Sequence, residues 1–225
     1  MTKPTSPIQI PLPTGKSISA LLQLPDSPRA CFVFAHGAGA GMNHSFMSDL
    51  ADALCDRGIA TLRYQFPFME EGSKRPDSPA VAHAAVRAAV ATAASSLPGI
   101  PLFAGGKSFG GRMTSQAQAQ APLEGVRGLV FVGFPLHPAG KPSIERAKHL
   151  SEVKVPMLLL QGTRDALADM DLIRSTAGTL GDLATLHVVE GADHSFHVLV
   201  RSGRTDAQVM EELASSITAW IDEKS

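Results

Sequence analysis

Four polar or glycine-rich clusters in this chain each follow an apolar run: His36-Gly37-Ala38-Gly39, Ser108, Asp165 and His194. A serine hydroxyl is a poor nucleophile until a histidine takes its proton. That histidine in turn needs an acid to fix its tautomer and stabilise its charged form. Ser108, His194 and Asp165 supply the three residue types. Gly106-Lys107-Ser108-Phe109-Gly110 also fits G-x-S-x-G, a pattern that sets a serine on a tight strand-to-helix turn. An apolar run, Pro101 to Ala104, precedes the turn, and a segment of small residues with helical composition follows it. Glycines beside the serine let strand and helix pass closely. The N–H groups opening that helix then face the place where negative charge develops in acyl transfer.

Rival readings fail on spacing. Gly-Lys-Ser could end a phosphate-binding P-loop, but Pro101 stands where that motif needs a glycine. The Gly37 to Gly41 run could suggest a dinucleotide site, but Met42 takes the place of the third glycine of G-x-G-x-x-G. No C-x-x-C or H-E-x-x-H occurs and the histidines scatter, so no metal is expected. Asp169 and Asp171 compete with Asp165 but lie further from the strand end and suit a helix cap; Asp193 reads as a turn residue. His197 is the runner-up to His194, while His44, His83, His149 and His187 read as surface or packing residues.

The elements that must position these residues follow from hydrophobic patterning. Ile8–Ile10 and Ile18–Leu24, separated by Pro-Thr-Gly, predict an edge hairpin. Continuous apolar runs at 30–35, 59–64, 101–104, 128–133, 155–161 and 184–189 predict strands covered on both faces. Between them, helices are expected from Asn43 or Ser45 to Leu54, over 80–96, after Ser108, over 169–180 and over 205–221. Residues 143–150 form one or two helical turns, and 65–79 form a loop. Alternation of this kind predicts an α/β fold with a mainly parallel central sheet and helices on both faces. Ligands of such sheets bind at the carboxyl ends of the strands, where all four clusters fall. One domain is expected over residues 1–225, with a core of about 17–222.

Composition sets the bounds. Hydrophobic residues make up 44% and charged residues 18%, a globular balance. A net charge of -1 without basic runs argues against nucleic acid or an anionic membrane as partner. Cys31 and Cys55 lie in apolar surroundings and are expected as buried free thiols. The N-terminal segment carries four prolines and no apolar signal core, and no run approaches a membrane span, so a cytoplasmic protein is the default expectation.

The chain order Ser, Asp, His is that of the α/β-hydrolases, and from about Ala30 to Trp220 the sequence resembles that superfamily. The strings HGAGAGMNH, YQFPF, GGKSFGGRM, QGTRD and GADHSF resemble the small cap-less members similar to dienelactone hydrolase. Within these they are similar to the branch that includes a subunit of the nonspecific-lethal histone acetyltransferase complex. Dienelactone hydrolases carry a cysteine nucleophile, so Ser108 departs from them. The resemblance implies an α/β-hydrolase fold without a large cap domain and a serine hydrolase acting on a small ester or thioester, with no cofactor. It further implies that Ser108 attacks, His194 serves as base then acid, and Asp165 orients His194. The backbone N–H groups of Phe109 and of Ala38 (or Gly39) would form the oxyanion hole, with His36 supporting that loop. Gly37, Met42, Phe66, Phe68, Phe134, His137 and Phe196 are expected near the site. A non-catalytic binding or scaffold protein and an amidase or peptidase are the alternatives.

Overall fold

The computed structural model describes residues 5–225. An eight-stranded sheet runs in the order β1-β2-β4-β3-β5-β6-β7-β8. The expected hairpin is present as β1 (Thr5–Pro11) and β2 (Ser17–Gln23), antiparallel to each other, with β2 antiparallel to β4 (Ile59–Tyr64). From β4 onward every pairing is parallel: β3 (Ala30–Ala35), β5 (Leu102–Lys107), β6 (Val126–Val132), β7 (Met157–Gly162) and β8 (Ala184–Val189). Strands β3, β4 and β7 are buried along their whole length, β3 as an unbroken apolar run and the other two with Thr61, Arg63 and Gln161 buried among apolar residues.

Helices cover both faces. On one side α3 (Pro79–Ser96) and α4 (Phe109–Gln120) pack with Cys31, Val33, Ala104 and Phe131 in one core cluster. On the other, α1 (Ser45–Cys55) and the final helix join Phe32, Phe34, Phe103 and Val132 in a second. That final helix, α6 (Asp206–Lys224), follows α5 (Met170–Leu180) and opens with a capping box in which Thr205 and Gln208 bond each other's backbone N–H.

The sequence expectations needed local correction. Neither Asn43 nor Ser45 caps α1; the cap is His44, whose Nδ1 accepts from the Phe46 N–H. Within the segment expected to be loop, Pro67–Glu70 forms a short helix, α2, because Pro67 suits a first helical position. Between β6 and β7 the only regular structure is a 3-10 stretch at Glu145–Glu152, so no large cap domain covers the strand ends. Cys31 and Cys55 are buried and free, and burial pushes the Cys31 thiol up to about 12. Among the described residues no helix is long and apolar enough to cross a membrane.

Candidate active site

Ser108 sits between β5 and α4 in a conformation that few residues other than glycine adopt, with φ 50° and ψ -113°. Its neighbours explain how the chain tolerates this. A Cβ on Gly110 would lie 2.6 Å from the carbonyl oxygens of both Ala35 and His36. A Cβ on Gly106 would likewise run into the Ala35 carbonyl. The end of β3 and the start of α4 therefore touch backbone to backbone, which forces the turn and leaves the serine projecting from the sheet.

The structure brings the three separated residues together. Ser108 Oγ lies 2.9 Å from His194 Nε2, and His194 Nδ1 lies 2.7 Å from Asp165 Oδ2. With Nδ1–H donating to the carboxylate, Nε2 is left as the acceptor of the serine proton, the tautomer a general base needs. Asp165 is itself held. Gln161 Nε2 donates to its Oδ2 at 2.5 Å, and the Leu167 N–H donates to its Oδ1 at 2.8 Å. The carboxylate side chain is fully buried, whereas a quarter of the His194 side chain is exposed toward the cleft.

The rival acids and base lie elsewhere. Asp169 caps α5 by accepting from the N–H groups of Asp171 and Leu172, and the Asp171 side chain is exposed. Asp193 accepts from the N–H groups of Ser195 and His197, as a turn residue does. The exposed His197 pairs with Asp206 at 2.8 Å, and that bond raises its pKa.

The loop after β3 passes over Ser108. His36 is buried: its Nε2 accepts from the Phe66 N–H at 2.9 Å, so its Nδ1–H donates to the Gly37 carbonyl at 2.7 Å. Burial lowers its pKa, which favours this neutral form. His36 thus ties the Gly37–Ala38 turn to the segment after β4. Phe66 and Phe68 pack edge-on against Phe109 and also against His36, beneath the loop rather than in the cleft.

Two clefts meet at Ser108. One, of about 260 Å³, is lined by Gly37 to Ala40, His44, Phe46, Met47, Lys107, His194 and Ser195. The other, of about 220 Å³, is lined by Phe109, Arg112, Pro135, Arg146 and Leu167; Ala38 and Ser108 line both. Gly37 and Gly39 therefore lie where expected, but several side chains expected near the substrate do not line these clefts. Met42 is buried, and its N–H donates to Gln65 Oε1. Phe134 is fully buried against Phe131 and His149. His137 Nε2 accepts from the Asp169 N–H at 2.8 Å and so fastens the loop after β6 to α5. Phe196 is buried and stacks on Phe46, one layer back from the first cleft.

Sequence reasoning missed Lys107, Phe46, Arg112 and Arg146. Lys107 Nζ donates to the main-chain carbonyl of His194 and sits 5.1 Å from the Phe196 ring centre and 5.7 Å from that of Phe46. Burial lowers its pKa to about 8, against the raising pull of Asp165 and Asp193. The variable position of G-x-S-x-G was the available signal, since a lysine there enters the site with the serine. Among the described residues no group of side chains suited to hold a metal ion occurs.

Residues 28–222 match the family model of the alpha/beta hydrolase domain, and the chain belongs to that family. Its fold is similar to that of a Xanthomonas campestris a/b serine hydrolase without lid, with TM-score 0.76 and 21% identity over 98% of this chain and 96% of that one. Dienelactone hydrolase from Anabaena variabilis gives TM-score 0.79 and 19% identity, covering 100% of this chain and 99% of that chain. A Mycobacterium tuberculosis protein named "Putative phosphoribosyl transferase" is 27% identical over 211 residues. The match takes in 91% of this chain and 43% of that protein, so the chain spans less than half the length of this relative.

Proposed function

We propose that this protein is a serine hydrolase that cleaves small carboxylic esters or thioesters through an acyl-enzyme intermediate. The observation that carries this reading is the continuous chain from Ser108 Oγ through His194 to the buried, doubly supported Asp165. As Ser108 Oγ bonds to the substrate carbonyl carbon, its proton passes to His194 Nε2. The resulting oxyanion points at the backbone N–H groups of Phe109 and Ala38. Collapse breaks the bond to the alcohol or thiol, which leaves with the proton from His194. Water then attacks the acyl-enzyme, gives a proton to His194, and frees the acid and Ser108.

The short segment between β6 and β7 leaves the clefts open at the surface, which suits small acyl groups. Labelling with a fluorophosphonate probe tests the reading, because the probe reacts well only where base and oxyanion donors are assembled. Expected are an adduct on Ser108, its loss in His194→Ala, and loss of short p-nitrophenyl ester hydrolysis in Ser108→Ala. A folded protein that neither labels nor hydrolyses esters would overturn it in favour of a binding or scaffold role.

A further inference from the structure

The second cleft at Ser108 is basic. Arg112 lies one helical turn after Ser108, its N–H donating to the Ser108 carbonyl at 3.1 Å, and it lines the cleft together with Arg146 from the 3-10 stretch. Burial, and after it the Arg146 cation, lower the pKa of Arg112. Arg112 Nε is buried without a hydrogen-bond partner. Among the described residues neither arginine takes part in an ion pair, although Arg29, Arg57 and Arg204 each hold a carboxylate; Glu145, next to Arg146 in sequence, pairs with Lys148. The nearby His149 brings no charge: burial and the Arg112 cation push it down to about 4. Two partly buried cations without a counter-ion are costly unless something anionic joins them.

The reaction chemistry says which part of the substrate that is. The leaving group takes its proton from His194, which lines the first cleft and not the second. The alcohol or thiol therefore departs on the side of Phe46 and Met47, and the acyl group extends past Phe109 toward the arginines. We propose that Arg112 and Arg146 form an anion subsite for the acyl portion, so that the preferred substrates are half-esters or half-thioesters of short dicarboxylic acids. This rests on the serine hydrolase reading above. A planar guanidinium matches a carboxylate in two parallel hydrogen bonds, and a pair fixes the acyl chain from both sides.

The test compares kcat/KM for mono-p-nitrophenyl adipate with that for p-nitrophenyl hexanoate, an acyl chain of equal length without the terminal carboxylate. Free adipate is also used to protect Ser108 from a fluorophosphonate. The wild type should favour the adipate ester by about tenfold or more, a preference that weakens with added salt. Arg112→Gln and Arg146→Gln should each reduce this ratio, and Arg112→Lys should restore part of it. Should Arg112→Gln fail to fold, Arg146→Gln on the surface 3-10 stretch carries the test alone. A labelled Ser108 with no preference for the adipate ester, no protection by adipate, or a ratio unmoved by Arg146→Gln would overturn the subsite while leaving the hydrolase reading intact. An unlabelled Ser108 would overturn both.

Discussion

Lys107 Nζ donates to the backbone carbonyl of His194, so the residue before the serine holds the residue that reaches it. The loop after β8 is thereby tied to the end of β5 independently of the Ser108–His194 contact. A buried ammonium is a costly tie. Its pKa is lowered to about 8 in the fold, by burial, from an ordinary value of 10.5.

That shift sets a pH signature. Below about pH 8 both folded and unfolded chains carry the Lys107 proton, and the fold bears the full cost of a buried charge. Between about pH 8 and the ordinary lysine value the unfolded chain holds more of that proton, so this cost is relieved as pH rises. In Lys107→Met the charge is gone. The melting temperature of the variant minus that of the wild type should therefore fall steadily from pH 7.5 to pH 10. Differential scanning calorimetry across that range checks it; a difference that does not change with pH would show Lys107 titrating normally. Ester turnover by Lys107→Met should drop, because His194 loses its backbone anchor.

Much of this geometry could be read in advance because the residues concerned follow strand ends. In a parallel sheet the carboxyl ends converge on one edge, so Ser108 after β5, Asp165 after β7 and His194 after β8 are neighbours once the strand order is right. What failed was inference from sequence proximity to orientation. Met42, Phe134 and His137 lie in the loops that border the clefts, yet each turns inward, because a loop crossing a sheet end must bury its own apolar side chains. Phe66 and Phe68 flank Pro67, whose short helix folds them beneath His36. Arg112 looked like one more residue of a helix. Its partner Arg146 comes from a distant segment, and only tertiary packing brings the two cations together.

Replacing Asp165 by Asn isolates the role of the carboxylate. Asp165 Oδ2 accepts from both His194 Nδ1 and Gln161 Nε2. An amide can offer a single oxygen, so an N–H group must face one of the two donors or the Leu167 N–H. The imidazole then loses the partner that fixes its tautomer. We expect kcat on short esters to fall by a factor on the order of 10⁴ with a much smaller change in KM. A loss below tenfold would mean that His194 does not depend on Asp165.

Strain at Ser108 predicts that the serine costs the fold stability. Ala at this position keeps a Cβ at φ 50°, whereas Gly does not. Both changes delete the hydroxyl and its contact with His194, so the difference between Ser108→Gly and Ser108→Ala reads the backbone strain less the extra freedom that Gly gives the unfolded chain. Ser108→Gly should be the more stable by about 1–2 kcal/mol, at about 2–4 °C per kcal/mol in melting temperature. Equal melting temperatures would show a turn with no more strain than that freedom offsets.

The glycines around the serine should divide sharply under alanine substitution. Nothing lies within 4 Å of a Cβ built on Gly39, whose side faces the open cleft. At Gly110 the same methyl meets the carbonyl oxygens of Ala35 and His36, both at 2.6 Å, and both belong to backbone that cannot step aside without unpairing β3. Gly110→Ala must therefore push α4 away from the strand end. That displaces the Phe109 N–H and breaks packing at the centre of the sheet, a cost of roughly 3 kcal/mol or more, in the range of severe core overpacking. Gly39→Ala should melt within about 0.5 kcal/mol of the wild type, as surface changes do. Urea unfolding of the pair, read together with ester hydrolysis, checks both. If Gly110→Ala were as stable and active as Gly39→Ala, the close approach of β3 and α4 would not be what holds the serine in place.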